Sequence, residues 1–267
     1  MIFYRYRYLL WAFIVWLGVL PPGLAIAQTK TENAPAETTG QFTPSQRKEI
    51  IEIVREALKS DPTLLRDAIL ALQAEIAKER EAGSRTIADE QKALLHDPLD
   101  AVKGNPAGDV MVVEFYDVRC PYCRKMEPVL AELLRRDPKI GLILKEFPIL
   151  GPPSVLAARA LLAAARQNGY FRLREILMQQ SVPPSEETLR SDAEQAGLDW
   201  KRLRQDMDDP AIQQKIDANL ALARAIGVDG TPAFVVGTRL IGGAVPIAEL
   251  QEAVAAARKD AQDKTSP

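Results

Sequence analysis

An α/β fold, interrupted by a long helical insertion and preceded by a separate helical region, is what this 267-residue sequence predicts. Three observations lead there. Two apolar, β-branched runs, Val110–Tyr116 and Ile140–Phe147, flank one amphipathic segment and give a strand–helix–strand unit. The stretch at about 152–227 then carries helical periodicity with no comparable strand run. Finally, Ala233–Val236 and Arg239–Ile241 surround Gly237-Thr238 as a hairpin, and a helix over Ile247–Arg258 closes the chain.

In chain order, residues 1–27 read as a signal peptide for export. Arg5 and Arg7 form a short basic start, Leu9–Leu20 an apolar run too short to span a bilayer, and Ala25-Ile26-Ala27 a small-x-small cleavage site. The competing reading is an uncleaved membrane anchor. Removing the segment changes the net charge from −2 to −4 and places the mature protein where thiols can be oxidised. Residues 28–41, rich in Thr, Ala, Glu and Pro, read as a flexible tether.

Thr43-Pro44-Ser45-Gln46 has the form of a capping box with proline at the first helical position. Ile50, Ile53, Val54, Ala57 and Leu58 follow at helical spacing. After Ser60-Asp61-Pro62, a second stripe runs through Leu65, Ala68, Ile69, Leu72 and Ile76. A helix pair of this size needs a surface to pack on, so residues 42–82 are expected to form an N-terminal helical oligomerisation region. The alternative is packing on the α/β unit of their own chain. Residues 83–98 are highly charged and read as a linker, either a continuous helix or a hinge. Residues 99–267 are expected to form the α/β unit that carries the insertion. Within the insertion, amphipathic helices are expected over Val155–Gln167, Phe171–Gln180, Glu186–Ala196 and Ala211–Ile226.

Composition narrows the chemistry. With 34 Lys+Arg against 36 Asp+Glu, the chain lacks the concentrated positive charge that phosphate binding needs, so nucleic acid is not an expected partner. One histidine and two cysteines cannot supply a four-ligand structural zinc site, and no metal centre is expected. Both cysteines lie in Cys120-Pro121-Tyr122-Cys123, where a bridge closes only a short loop and stabilises little. The pair is therefore better explained by its chemistry than by mechanics.

The motif follows a strand and opens a helix. Unpaired N–H groups and the macrodipole at a helix N-terminus favour negative charge, which suits Cys120 as a thiolate nucleophile. Pro121 occupies the first helical position, and Cys123, one turn on, would act as the resolving thiol. The alternatives are an inert disulfide or half of a soft-metal site. Gly230-Thr231-Pro232-Ala233 precedes a strand; a cis Thr231-Pro232 bond would face the Thr231 backbone to the cysteines, whereas a trans bond would make an ordinary turn.

Val113-Glu-Phe-Tyr-Asp-Val-Arg-Cys-Pro-Tyr-Cys123 together with Gly230-Thr-Pro-Ala-Phe-Val235 resembles the DsbA-like branch of the thioredoxin superfamily, in which a helical domain interrupts a thioredoxin-like fold. The stretch from Phe42 to Ala74 resembles the N-terminal domain of ScsC-like proteins (suppressor of copper sensitivity). The resemblance implies a thiol:disulfide interchange protein of the periplasm, with Cys120 attacking, Cys123 resolving and Thr231-Pro232 forming a cis-proline loop. It also implies that Pro121 and Tyr122 contact substrate and that Glu114 relays protons to the resolving thiol. Desolvation of an acid in an apolar strand suits that relay, against the alternatives of an exposed edge residue or an ion pair with Lys145. Exported client proteins, a membrane redox partner and assembly into a trimer through 42–82 are implied as well, with no dissociable cofactor. Tyr122 stands where strongly oxidising members carry histidine, which implies a weaker oxidant and better disulfide isomerisation. A monomeric dithiol oxidase, or a copper-tolerance protein holding Cu(I) at the same pair, are the alternative functions.

Overall fold

The computed structural model describes residues 42–265. The expected signal peptide (1–27) and tether (28–41) lie outside the described residues. The chain divides into two units at Pro62/Thr63.

In the first unit, α1 (Pro44–Ser60) starts at the capping box that the sequence suggests. The Gln46 N–H donates to the Thr43 hydroxyl at 3.2 Å, and the Thr43 N–H donates to the Gln46 carboxamide oxygen at 2.9 Å. No α1 residue is buried, and Ile51, Ile53, Val54 and Leu58 lie exposed.

The second unit opens with α2 (Thr63–Asp89), which runs past the end of its apolar stripe and straight through Gly83. The strong helix formers Ala77–Ala82 carry the helix up to Gly83, and the Glu81–Arg85 pair and the burial of Ile87 hold the turns beyond it, so 83–89 is helix. Leu64, Leu65, Ile69, Leu70 and Leu72 are exposed on its first half; only Ile87, near its end, is buried. A short α3 (Gln91–Leu95) follows and buries Leu94.

The five-stranded sheet has the order β1-β3-β2-β4-β5. The strands β2 (Val110–Tyr116) and β3 (Ile140–Glu146) are parallel, joined by α4 (Pro121–Arg136). Both are buried on both faces, which explains their unbroken apolar reading. Antiparallel to β2 lies β4 (Ala233–Val236), which forms the hairpin with β5 (Arg239–Gly242). Gly237 takes φ +61 at the turn, a conformation that costs glycine least. The edge strand β1 (Ala101–Gly104) pairs antiparallel with β3 and is absent from the sequence-based expectation. It has four residues, half of them exposed, set between two breaker clusters, so it leaves no periodic signal.

The insertion contains α5 (Pro152–Ala165), α6 (Tyr170–Gln179), α7 (Glu186–Gln195), α8 (Trp200–Met207) and α9 (Pro210–Ala225). The eight-residue α8 also escapes sequence reading: it buries only Leu203 and Met207, and Asp199 caps it by accepting from the Arg202 N–H at 3.1 Å. The closing α10 (Ile247–Thr265) outruns the expected Arg258 end. One face of the sheet packs on α4, α10 and the insertion; the other packs on Ile87, Leu94 and the C-terminal end of α9.

Candidate active site

Period-two alternation along β2 decides which side chains meet α4. Val112, Glu114 and Tyr116 point to the face covered by α4 and the insertion, while Val113 and Phe115 point to the other. In the parallel register Glu114 sits opposite Leu144, so Lys145, the next residue along β3, points away from it. The ion pair considered from sequence is therefore not formed. Lys145 instead donates to Asp100 (2.5 Å) and to the Ala93 carbonyl (2.9 Å). The exposed-edge alternative fails too, since Glu114 is completely buried.

Asp117 shapes the turn between β2 and α4. Its backbone carbonyl accepts from the Cys120 N–H at 2.9 Å, and its carboxylate accepts from the N–H groups of Arg119 (2.9 Å) and Leu150 (3.1 Å). These bonds bring Cys120 to the N-cap of α4, with Pro121 in the first turn. Cys123 falls on the buried stripe Cys123–Met126–Leu130–Leu133 of α4. Both thiols are free. Burial pushes the Cys123 thiol well above its ordinary value, and the Glu114 carboxylate adds to the effect.

The Thr231-Pro232 peptide bond is cis, and the Cys120 thiol donates to the Thr231 carbonyl at 3.2 Å. The two sequence motifs, 111 positions apart at these residues, thus meet. Cys120 itself retains only 4% exposure, whereas Tyr122 is 55% exposed beside it. The Lys125 ammonium lies 5.0 Å from the Tyr122 ring centroid. A cleft of about 320 Å³ runs along the loop, lined among others by Val228, Gly230, Thr231, Pro232 and Leu240.

Glu114 and Cys123 belong to a polar cluster that reaches into the insertion. Neither Glu114 oxygen has a hydrogen-bond partner among the described residues; the nearest cation is Arg174 of α6, 3.7 Å away. Burial raises the Glu114 carboxyl to about 7, against the opposing pull of Arg174. Arg174 grips Glu127 of α4 with both terminal nitrogens, at 2.7 and 2.8 Å, and its guanidinium stands 4.4 Å from the centre of the Tyr116 ring. The Tyr116 and Tyr170 hydroxyls lie 2.6 Å apart, and Tyr170 donates to Glu146, whose carboxyl burial also raises to about 7. Sequence reasoning missed Arg174, Glu127, Tyr170 and Glu146. Arg174 and Glu127 are charged residues at helical spacing, which read as solvated faces, and no local pattern signals the partners of Tyr170 and Glu146.

Residues 111–255, more than half of the chain, match the family model for the DSBA-like thioredoxin domain. A thioredoxin-like oxidoreductase from Silicibacter pomeroyi is 43% identical, with a TM-score of 0.61 over 63% of this chain and 97% of that one. Proteus mirabilis ScsC, in a transitional conformation, is 28% identical, with a TM-score of 0.60 over 82% of this chain and 98% of its own. The Na(+)/H(+) antiporter NhaA 3 of Salinispora tropica is 31% identical over 71% of this chain. This chain spans only 30% of that antiporter's length. Among the described residues no helix is long and apolar enough to cross a membrane.

Proposed function

The chain belongs to the DSBA-like thioredoxin family, and from that premise we propose that it is a periplasmic thiol:disulfide oxidoreductase that acts on exported proteins as an oligomeric disulfide isomerase or reductase. The observation that carries this reading is the meeting of Cys120, at the N-cap of α4, with the Thr231 carbonyl beside Pro232. A thiolate formed at Cys120 lies against the open N–H groups of the first helical turn, which is where a helix best accepts negative charge.

In the first step the Cys120 sulfur attacks a client disulfide; one client sulfur leaves as thiolate and the other stays bonded to Cys120. The Cys123 thiol then passes its proton to the Glu114 carboxylate and attacks Cys120. The second client sulfur is released, the client has gained two electrons, and Cys120–Cys123 has become the disulfide. If instead the freed client thiolate attacks another disulfide of the client, and the thiolate displaced there attacks the client sulfur bonded to Cys120, the Cys120 thiolate leaves and the client's disulfides are rearranged with no net redox change. Burial of Cys123 keeps its thiol protonated and so gives the client time for that rearrangement. Pro121, Tyr122, Thr231 and Pro232 would contact the client, and Thr231 and Pro232, which line the loop cleft, support its lying there. The bridge is intrinsic, so the exchange requires no dissociable cofactor.

The finer assignments rest on sequence. Residues 1–27 act as the export signal, 28–41 as tether, 42–82 as the trimerising region and 83–98 as the linker to the catalytic unit at 99–267. The exposed apolar residues of α1 and of the first half of α2 support assembly, because each helix offers an uncovered stripe. A membrane redox partner would reset Cys120 and Cys123 between turnovers.

The test is refolding of a scrambled multi-disulfide substrate by the intact protein and by a variant lacking residues 42–82, with mass followed by light scattering. Isomerisation by the intact protein, lost together with its oligomeric mass in the variant, is the expected result. A monomer that only oxidises reduced substrate would establish the dithiol-oxidase alternative. No thiol exchange, together with Cu(I) retained against a chelator, would establish the copper alternative.

A further inference from the structure

Among the described charged residues, Arg174 is the one that reaches the buried acid, and it comes from the inserted helices rather than the thioredoxin core. Its guanidinium has two claimants. Both terminal nitrogens donate to Glu127, and one of them also faces Glu114 at 3.7 Å. Its Nε has no hydrogen-bond partner among the described residues. Glu127 sits on α4, the helix that begins with the two cysteines, and is 30% exposed; Glu114 is fully buried. We infer that Arg174 is a positioning residue for the resolving step: by dividing its guanidinium between Glu127 and Glu114, it sets how readily Glu114 takes the proton of Cys123. The inference rests on the thiol:disulfide reading above.

The physical argument is a competition. A carboxylate with no hydrogen bond in an apolar strand holds a proton strongly because its charged form is poorly solvated. Arg174 opposes this with positive charge, while its closer partner Glu127 weakens that help and adds negative charge of its own. The charged and titratable groups facing Glu114 are Arg174 from α6, Glu127 and Cys123 from α4, and the more distant Lys103 from β1. Removing Arg174 must make Glu114 a stronger proton holder. Removing the charge of Glu127 must do the opposite, because it frees Arg174 to pair with Glu114. A clamp that merely fastened α6 to α4 would lose stability in either variant, without moving proton transfer in opposite directions.

The experiment uses the full mature chain loaded at Cys120 with glutathione. Single-turnover release of glutathione by Cys123 is followed from pH 5 to 9. The parent rate should rise with pH as Glu114 becomes a base. In Arg174→Gln the midpoint should move up by about one pH unit, and in Glu127→Gln it should move down, an opposite charge at this range being worth about that much. Arg174→Lys should fall between Arg174→Gln and the parent. Midpoints that coincide, or move in the same direction, overturn the inference. If Arg174→Gln fails to fold, Glu127→Gln decides: the absence of a downward shift overturns it. A parent that releases no glutathione, or releases it equally fast as Cys123→Ser, overturns the thiol:disulfide reading instead.

Discussion

Glu114→Gln tests the energetics of the site without any substrate. The parent carboxyl is held at about 7 against an ordinary 4.5, so between these values the folded state binds a proton that the unfolded chain has released. Stability then falls as pH rises through that window and levels off above it. Each unit is worth 1.36 kcal/mol, so ionising Glu114 in place costs about 3 kcal/mol at pH 8. Glutamine fills nearly the same volume and carries no charge. The gap between variant and parent should thus be flat below about pH 4.5, grow in favour of glutamine up to about pH 7, and stay near 3 kcal/mol beyond. Denaturant unfolding of the reduced proteins at several pH values measures it. Glu146 is raised in the same direction, but it is common to both proteins and cancels in the difference. A gap that does not change with pH, or a variant less stable than the parent at pH 8, would refute the reasoning.

Cys123→Ser should accumulate a covalent Cys120–client adduct on non-reducing gels, and Cys120→Ser should form none; equal adducts would remove the division of labour between the two sulfurs. Asp100→Asn should destabilise the fold by about 3–5 kcal/mol, because Asp100 is buried and accepts from both Lys145 and Lys215, whose ammonium groups are buried with it. Thermal and denaturant unfolding would show this, and a loss below about 1 kcal/mol, typical of a surface pair, would contradict it.

Much of the site was legible because its parts are local. Cys120 and Pro121 were placed at a helix start by the strand before them and the apolar stripe after them, and Cys123 belongs to that stripe. The Thr43–Gln46 box and the Gly237 turn are likewise contacts of three residues or fewer. What stayed hidden falls in two kinds. The strand β1 and the helix α8 are too short to establish a period. Arg174 and Glu127 look like solvated charges in one dimension, and their pairing depends on α6 and α4 lying side by side.

Chain order and spacing alone determined that a thiol pair caps a helix between two buried strands, since helix periods, strand periods and caps act over a few residues. Only the folded molecule decided that Cys120 meets Thr231, that Lys145 turns away from Glu114, and that an arginine of the insertion faces the buried acid. Those contacts join residues 60 and 111 positions apart or depend on which face of a sheet is covered, and such proximity exists only once the layers have packed.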